Sequence, residues 1–406
     1  MSKKLTDSRD IYRFGMLCCF LYAASYITRI NFTAMIAKVI EVEGITKSMA
    51  AFVTTALFVS YGSGQLIFGI TGDKISPEKL IAAGMTSTTL LNFLMFFAEN
   101  IYVMAAIWFL NGFAQAIMWP SIARITSDYL SLEGYKKLCV SVAVASNVAT
   151  VLIYVAVPFL LSFMHYREIF LLCGGVGAAV CFLWIWSIPK FSEKRVFMEE
   201  EKSEAQGIFE KNSGALPLAS LLFLGVAVLF QGILKDGITT WTPSYIIEVF
   251  KMPASFSIMI TVLLPLLNIV FYKFGGYVHK KFIKNEVLCG AAFFMPACII
   301  SVIMSTVYDA NPLLCSLMAG TITGCLSTVN LMLVCMIPGR FEKQGKVATV
   351  SGLLNFITYV GSALSTYVIA RVAEICGWRV TTLFWAALAL MGTLICVIYY
   401  FKNKDK

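Results

Sequence analysis

A single arginine stands inside a long apolar stretch, within Tyr22-Ala-Ala-Ser-Tyr26-Ile-Thr-Arg29-Ile-Asn31-Phe32. The apolar run around it, about residues 11–40, would make a helix of roughly 45 Å at ~1.5 Å per residue, long enough to cross a bilayer with tilt. A guanidinium keeps its proton, and at mid-membrane it costs about 3 kcal/mol or more. Arg29 is therefore expected to face protein, water or an anion, not lipid. Tyr22, Tyr26, Arg29 and Thr33 follow i, i+4, i+7, i+11 spacing and share one helical face. Three chemistries suit a cation so placed: snorkelling to a headgroup, a structural ion pair, or binding of an anionic ligand. The polar face beside it favours the third.

A second cation answers the first. Lys235 follows Arg29 by 206 residues, about half of the 406-residue chain, and shares a helical face with Gln231, Thr239 and Thr242. Two more polar stripes run through apolar segments: Asn147, Thr150 and Tyr154, then Ser351, Asn355, Tyr359, Ser362 and Thr366. Hydrogen bonding between helices explains any one stripe alone. As a set of four they predict a lined cavity.

The elements that position these residues follow from composition. Hydrophobic residues make up 59% and charged residues 14%, with a mean hydropathy of +0.79, which is the balance of a polytopic membrane protein. Twelve apolar segments are predicted, near residues 11–40, 49–72, 79–98, 101–128, 136–163, 167–189, 216–247, 255–279, 286–306, 311–338, 345–372 and 377–401. The fold class expected is an all-α membrane protein of twelve transmembrane helices in two pseudo-symmetric six-helix bundles. Residues 1–190 and 215–406 would form the bundles, and the polar stretch 191–214, with Glu199-Glu200-Glu201, a cytoplasmic linker. Repeated halves around a mid-membrane site is a secondary-transporter plan.

Lysine and arginine set the orientation. On this topology 23 of them fall on one side, including Lys3, Lys4, Lys190 and Lys281, against six on the other: Lys38, Lys47, Arg167, Lys251, Arg371 and Arg379. The positive-inside rule then puts both termini in the cytoplasm of a multi-pass inner-membrane protein. The formal charge of +9 reads as a membrane surface, and basic clusters with stacking aromatics for nucleic acid are absent. Met1–Arg13 is polar and basic and the run after it too long for a cleaved signal, so the first helix is expected to stay as an anchor. The twelve cysteines lie mostly within apolar runs, without CxxC or Cys/His metal spacing, and read as small core residues.

The loop Gly69-Ile-Thr-Gly-Asp73-Lys74 resembles the Gly-x-x-x-Asp-Arg loop of the major facilitator superfamily. That resemblance implies a gating latch of Gly69, Asp73 and Lys74 at the cytoplasmic ends of the helices. The matching loop of the second half, Gly275-Gly276-Tyr-Val-His279-Lys-Lys, lacks the aspartate.

Within the superfamily the chain resembles the organophosphate:phosphate antiporters, the glycerol-3-phosphate and hexose-6-phosphate exchangers, along nearly its whole length. Tyr26-Ile-Thr-Arg29-Ile-Asn31-Phe32 is similar to that family's first-helix Tyr-x-x-Arg-Lys-Asn-Phe. Gly112-Phe-Ala-Gln115-Ala-Ile-Met-Trp119-Pro120 is similar to its Gly-x-x-Gln-Gly-x-x-Trp-Pro, with Trp119-Pro120 expected to shape a helix end or kink. Ser146-Asn147 stands where it has His-Asn, and Lys235-Asp-Gly237-Ile-Thr-Thr-Trp241-Thr-Pro243-Ser-Tyr245 resembles its Arg-x-Gly-x-x-x-Trp-x-Pro-x-Tyr. The family's arginine pair for phosphate falls on Arg29 and Lys235. Three positions depart from the pattern: Ile30 for a second basic residue, Ser146 for histidine, and Lys235, a point charge where a bidentate fork is usual. Asp236 lies about 100° around the helix from Lys235, placed either to offset its charge or to face another helix.

No enzyme constellation is present. His165 and His279 have neither nucleophile nor metal partner at useful spacing, and no Gly-x-x-x-x-Gly-Lys-Ser/Thr loop points to ATP. The expected function is secondary active transport of a small organic anion, a phosphorylated metabolite exchanged for inorganic phosphate by alternating access. A proton-coupled symporter of a carboxylate or other anion, with Asp236 as coupling group, and a non-transporting membrane sensor of a phosphorylated sugar are the alternatives. Tyr22, Tyr26, Arg29, Ser146, Asn147, Gln231, Lys235, Asn355 and Tyr359 form the expected substrate site. The expected partners are that anionic small molecule and the lipid bilayer, with no cofactor, metal or nucleic acid, and a monomer is expected.

Overall fold

The computed structural model describes residues 2–198 and 218–404. Among them, twelve helices are long and apolar enough to cross a membrane. The chain divides into two compact units. One holds the described residues up to Met198 together with Phe341–Leu353, and the other holds Leu218–Arg340 with the residues from Leu354 on.

The first bundle contains α1 (Ser8–Glu43), α2 (Lys47–Gly72), α3 (Pro77–Phe96), α4 (Ile101–Tyr129), α5 (Leu132–Leu160) and α6 (Tyr166–Glu193). Turn chemistry written in the sequence sets their ends. Asp7, Thr46, Asn100 and Ser131 each accept a hydrogen bond from the first turn of the helix that follows. His165 and Glu168 close a reciprocal cap on α6, and Gly44 ends α1 in the left-handed region at φ 62°. The helix α4 breaks at Ile117, three residues before Pro120, as the Trp-Pro pair predicts.

Inside this bundle α2 packs on α4, α1 on α5 and α6, and α3 on α6. Phe32, Trp108 and Phe170 join α1, α4 and α6, with ring centres 5.6–6.5 Å apart. Large apolar side chains such as Phe20, Phe58, Phe182 and Trp186 point outward, where only a lipid solvent would favour them. A two-stranded ribbon departs from the all-helical expectation: β1 (Ser2–Lys4) pairs antiparallel with β2 (Val196–Met198). The expected linker 191–214 thus begins with the last turn of α6 and with β2, while its residues from 199 on lie outside the described residues.

The second bundle contains α7 (Leu218–Phe250), α8 (Met259–Lys281), α9 (Glu286–Thr306), α10 (Pro312–Phe341), α11 (347–376) and α12 (378–404). The last two form one helical run that turns at Gly377, φ 76°. The first residues of α11 cluster with the first bundle. Asn285 and Asn311 cap α9 and α10. Within α10 the backbone widens into a π-helix over Leu331–Met336 and then tightens over Ile337–Phe341. Such widened turns recur at functional sites. At the crossing of α7 and α11 the backbones touch. A Cβ on Gly232 would fall 2.3 Å from the Thr358 carbonyl oxygen, and one on Gly361 would fall 2.4 Å from that of Leu229.

Candidate functional site

Arg29 is 8% exposed, well inside α1. Its guanidinium carbon lies 4.2 Å from the ring centre of Tyr26 and 4.8 Å from that of Tyr61 on α2. Tyr22 meets Tyr26 edge-on at 5.2 Å and approaches Trp119 of α4 at 5.3 Å. Three of the four α1 residues that share a face in the sequence, Tyr22, Tyr26 and Arg29, therefore stand together in an aromatic cup, completed by Tyr61 and Trp119. A desolvated cation over such a ring gains about 2 kcal/mol. The ring itself adds no net negative charge.

What fixes Arg29 is a different side of the same helix. The Thr28 carbonyl accepts the side-chain amides of Asn92 on α3, at 2.9 Å, and Asn111 on α4, at 3.1 Å. Asn31 donates to Asn92 at 2.8 Å, and Gln115 donates to the hydroxyls of Thr28 and Thr88 at 3.0 and 2.8 Å. All six residues are within 1% of full burial. Interhelical bonds of this kind contribute about 0.6 kcal/mol each in a membrane, and several acting together lock the rotation of α1. Gln115 and Asn31, legible in the sequence as motif residues, act here as clamps.

Beside the cup several polar groups remain without partners among the described residues. Gln65, one turn from Tyr61, is fully buried, and neither of its amide atoms is bonded within the described residues. The Trp119 Nε1–H and Gln115 Oε1 are likewise buried and unbonded. Such groups carry a desolvation cost of about 1–3 kcal/mol each until something bonds them. Tyr61 and Gln65 escape a reading of the sequence that follows α1. Their signal is two polar residues at i, i+4 in the apolar run of α2.

Ser146 and Asn147 sit on α5, which packs on α1. Both donate into their own helix, to the Ala143 carbonyl at 2.9 and 3.0 Å. Thr150 repeats this toward Ser146, and Tyr154 is 42% exposed. Self-bonding of hydroxyls thus explains part of this stripe.

Gly69 and Asp73 end α2 against the first turn of α11. The two carboxylate oxygens of Asp73 accept the backbone N–H of Ala348 at 2.9 Å and of Thr349 at 2.8 Å, and the Thr349 hydroxyl adds a third bond. An anion at a helix N-terminus satisfies orphan donors and complements the dipole. Gly69 permits the approach, since a Cβ there would stand 2.9 Å from the Gly352 Cα. Lys74 is exposed, and Arg124 of α4 grips the loop instead, donating to the carbonyls of Gly72 and Ile75.

In the second bundle Gln231 is fully buried and accepts from Asn330 of α10 at 3.4 Å, while its own Nε2 is unbonded among the described residues. Lys235, one turn on, is half-buried within electrostatic reach of Cys335, inside the π-helical stretch, whose thiol turns toward Asn330 at 3.8 Å. Asp236 faces α11, where the Ser362 hydroxyl donates to it. Asn355 and Tyr359 are half-buried on α11, which the glycine crossing holds against α7. Thr239 and Thr242 bond carbonyls of their own helix.

Twelve spans in two compact units, each carrying a cation on the polar face of its first helix, make the architecture of a membrane carrier. The chain belongs to the Major Facilitator Superfamily, whose sequence pattern matches residues 18–366. It is therefore a multi-pass membrane transporter and not an enzyme. It is 22% identical over 385 residues to the glycerol-3-phosphate transporter of Bacillus subtilis, covering 88% of this chain and 85% of that one. It is 21% identical over 395 residues to the membrane sensor protein UhpC of Salmonella typhimurium, covering 93% and 88%. The E. coli fucose:proton symporter FucP, in a single-residue variant, shares the fold, with a TM-score of 0.71 at 12% identity over 96% of this chain and 99% of that one.

Proposed function

We propose that the protein carries a small phosphorylated metabolite across the membrane by alternating access, in exchange for inorganic phosphate. The observation that carries this reading is Arg29, a permanent cation buried in α1 between the faces of Tyr26 and Tyr61. A lipid-facing or snorkelling arginine would be exposed, and this one is held away from lipid by the buried amide clasp on the Thr28 side of α1. Similarity to a glycerol-3-phosphate transporter supports a phosphorylated ligand. Lys235 supplies the second positive charge for the same anion, and Tyr22, Tyr26, Ser146, Asn147, Gln231, Asn355 and Tyr359 contribute polar contacts to it. Asp73 and Gly69 act as a gate by capping α11 in one state of the cycle. The lysine and arginine distribution puts both termini in the cytoplasm of the inner membrane.

Exchange follows from charge. Two cations without an anion disfavour a closed, dehydrated intermediate, and a divalent phosphate neutralises them and favours closure. The experiment is ligand-induced stabilisation of the purified protein by inorganic phosphate, glycerol-3-phosphate and uncharged glycerol. The two phosphates should raise Tm and glycerol should not. A ligand at 100 times its Kd adds about 2.7 kcal/mol. A sensor of a phosphorylated sugar is the second reading, favoured by the likeness to a membrane sensor, and differs in binding without transport.

A further inference from the structure

Ser2–Leu5, ahead of α1, reach further than a terminal tail needs to. The Lys4 side chain is 6% exposed, and its ammonium donates to the Ser127 carbonyl near the end of α4 and to the Glu342 carboxylate. Leu5 is buried, and its N–H donates to the Tyr129 carbonyl at 2.8 Å. The backbone of Ser2–Lys4 pairs with Val196–Met198, just past α6. Nearby, Lys194 bonds Asp10 at 2.7 Å and the Arg195 guanidinium stacks 4.3 Å over the Tyr129 ring. One short segment thus ties α4, α6 and the turn that leads into α11.

A buried ammonium is costly unless it is paired, and the carboxylate directly on Lys4 is that of Glu342. Glu342 belongs to the turn Phe341–Lys346, closed by bonds from Gly345 to Glu342 and from Lys346 to Phe341. Six and seven residues after Glu342, Ala348 and Thr349 are capped by Asp73. The same turn is therefore gripped from two sides, by α2 and by the terminal segment. A two-stranded ribbon of three residues a side is marginal on its own, so its partners decide whether it forms.

We infer that Ser2–Leu5 is a strap that locks the entry of α11 to the first bundle, with Lys4 as its bolt between Ser127 and Glu342. In the carrier reading, on which the inference rests for its role in transport, the strap adds to the Asp73 cap in holding the start of α11, and any rearrangement of that turn must release it. Charge on Glu342 and not merely the length of the tail is what sets the lock.

The test is hydrogen–deuterium exchange of full-length purified protein, read on peptides covering 341–353. Lys4→Ala and Glu342→Gln should each raise exchange there by about fivefold or more, the loss of a buried charge-assisted bond. The double variant should do no more than either single one, and Lys4→Arg should keep the protection. Glu342 is 28% exposed, so Glu342→Gln is expected to fold even where Lys4→Ala does not. Unchanged protection in Glu342→Gln, or additive effects in the double variant, would overturn the strap. Because exchange is read without transport, a protein that binds but does not transport would sink the carrier reading and leave this result standing.

Discussion

Thr28 and Arg29 are neighbours in α1, about 100° apart around the helix, that serve different sides of it. The Thr28 carbonyl is held by the amides of Asn92 and Asn111, while the Arg29 guanidinium lies over the rings of Tyr26 and Tyr61. One side positions and the other presents charge. Mutations on the two sides should therefore have separable effects.

On the presenting side, Arg29→Ala is expected to abolish stabilisation by phosphate while the protein still inserts and purifies. Arg29→Lys should also be poor, because a planar fork is replaced by a point charge. Lys235→Ala should abolish it too, and Lys235→Arg should preserve or improve it. Thermal shift with inorganic phosphate checks all four, and undiminished stabilisation in an alanine variant would remove that residue from the site.

On the positioning side, Asn92→Leu removes bonds to Asn31, Thr28 and Thr88 at once. It should lower stability by about 1–3 kcal/mol, the cost of leaving buried partners unmet. Phosphate affinity should fall although no charge is lost. Calorimetry with and without phosphate reads both.

Much of this was legible in the sequence, for physical reasons that also mark the limits. The twelve spans follow from hydropathy, since a bilayer demands long apolar runs, and the pair Gly69 and Asp73 follows from the loop's resemblance to the Gly-x-x-x-Asp-Arg pattern. Arg29 with Tyr22 and Tyr26 follows from helical spacing along one element. Tyr61 and Gln65 do not, because the rotation of α2 against α1 is set by packing. Lys74 reads as part of the latch, yet it is exposed and Arg124 reaches the loop instead. The ribbon of Ser2–Lys4 with Val196–Met198 joins residues nearly 200 positions apart, and three-residue strands leave no periodicity to read.

The cap on α11 gives a third expectation. Asp73→Ala strips the first turn of its acceptor and should cost about 0.5–2 kcal/mol of local stability, whereas Asp73→Asn keeps one of the two acceptor oxygens. Exchange on peptides covering 347–353 should rise in the first variant and much less in the second. Equal effects would mean that charge, and not the hydrogen bonds to Ala348 and Thr349, holds the helix start.

At the α7–α11 crossing, Gly232→Val and Gly361→Val should each fail in the same way. A side chain there meets backbone and not a yielding side-chain end. Overpacking of this kind typically costs 1–3 kcal/mol or more, and purified yield and Tm should both drop. Phosphate-dependent stabilisation should be lost with them, since Lys235 and Gln231 lie on α7 beside that crossing. A well-behaved Gly232→Val protein that still responds to phosphate would show that α7 and α11 separate freely.

The account turns on exchange, and uptake of labelled phosphate into proteoliposomes measures it directly. Vesicles loaded with phosphate should take up label, and empty vesicles should not, with or without an imposed proton gradient. Arg29→Ala should abolish the uptake. Strong uptake into empty vesicles driven by a proton gradient would contradict the account in favour of symport. Absence of uptake in both, from protein that phosphate still stabilises, would contradict it in favour of a sensor.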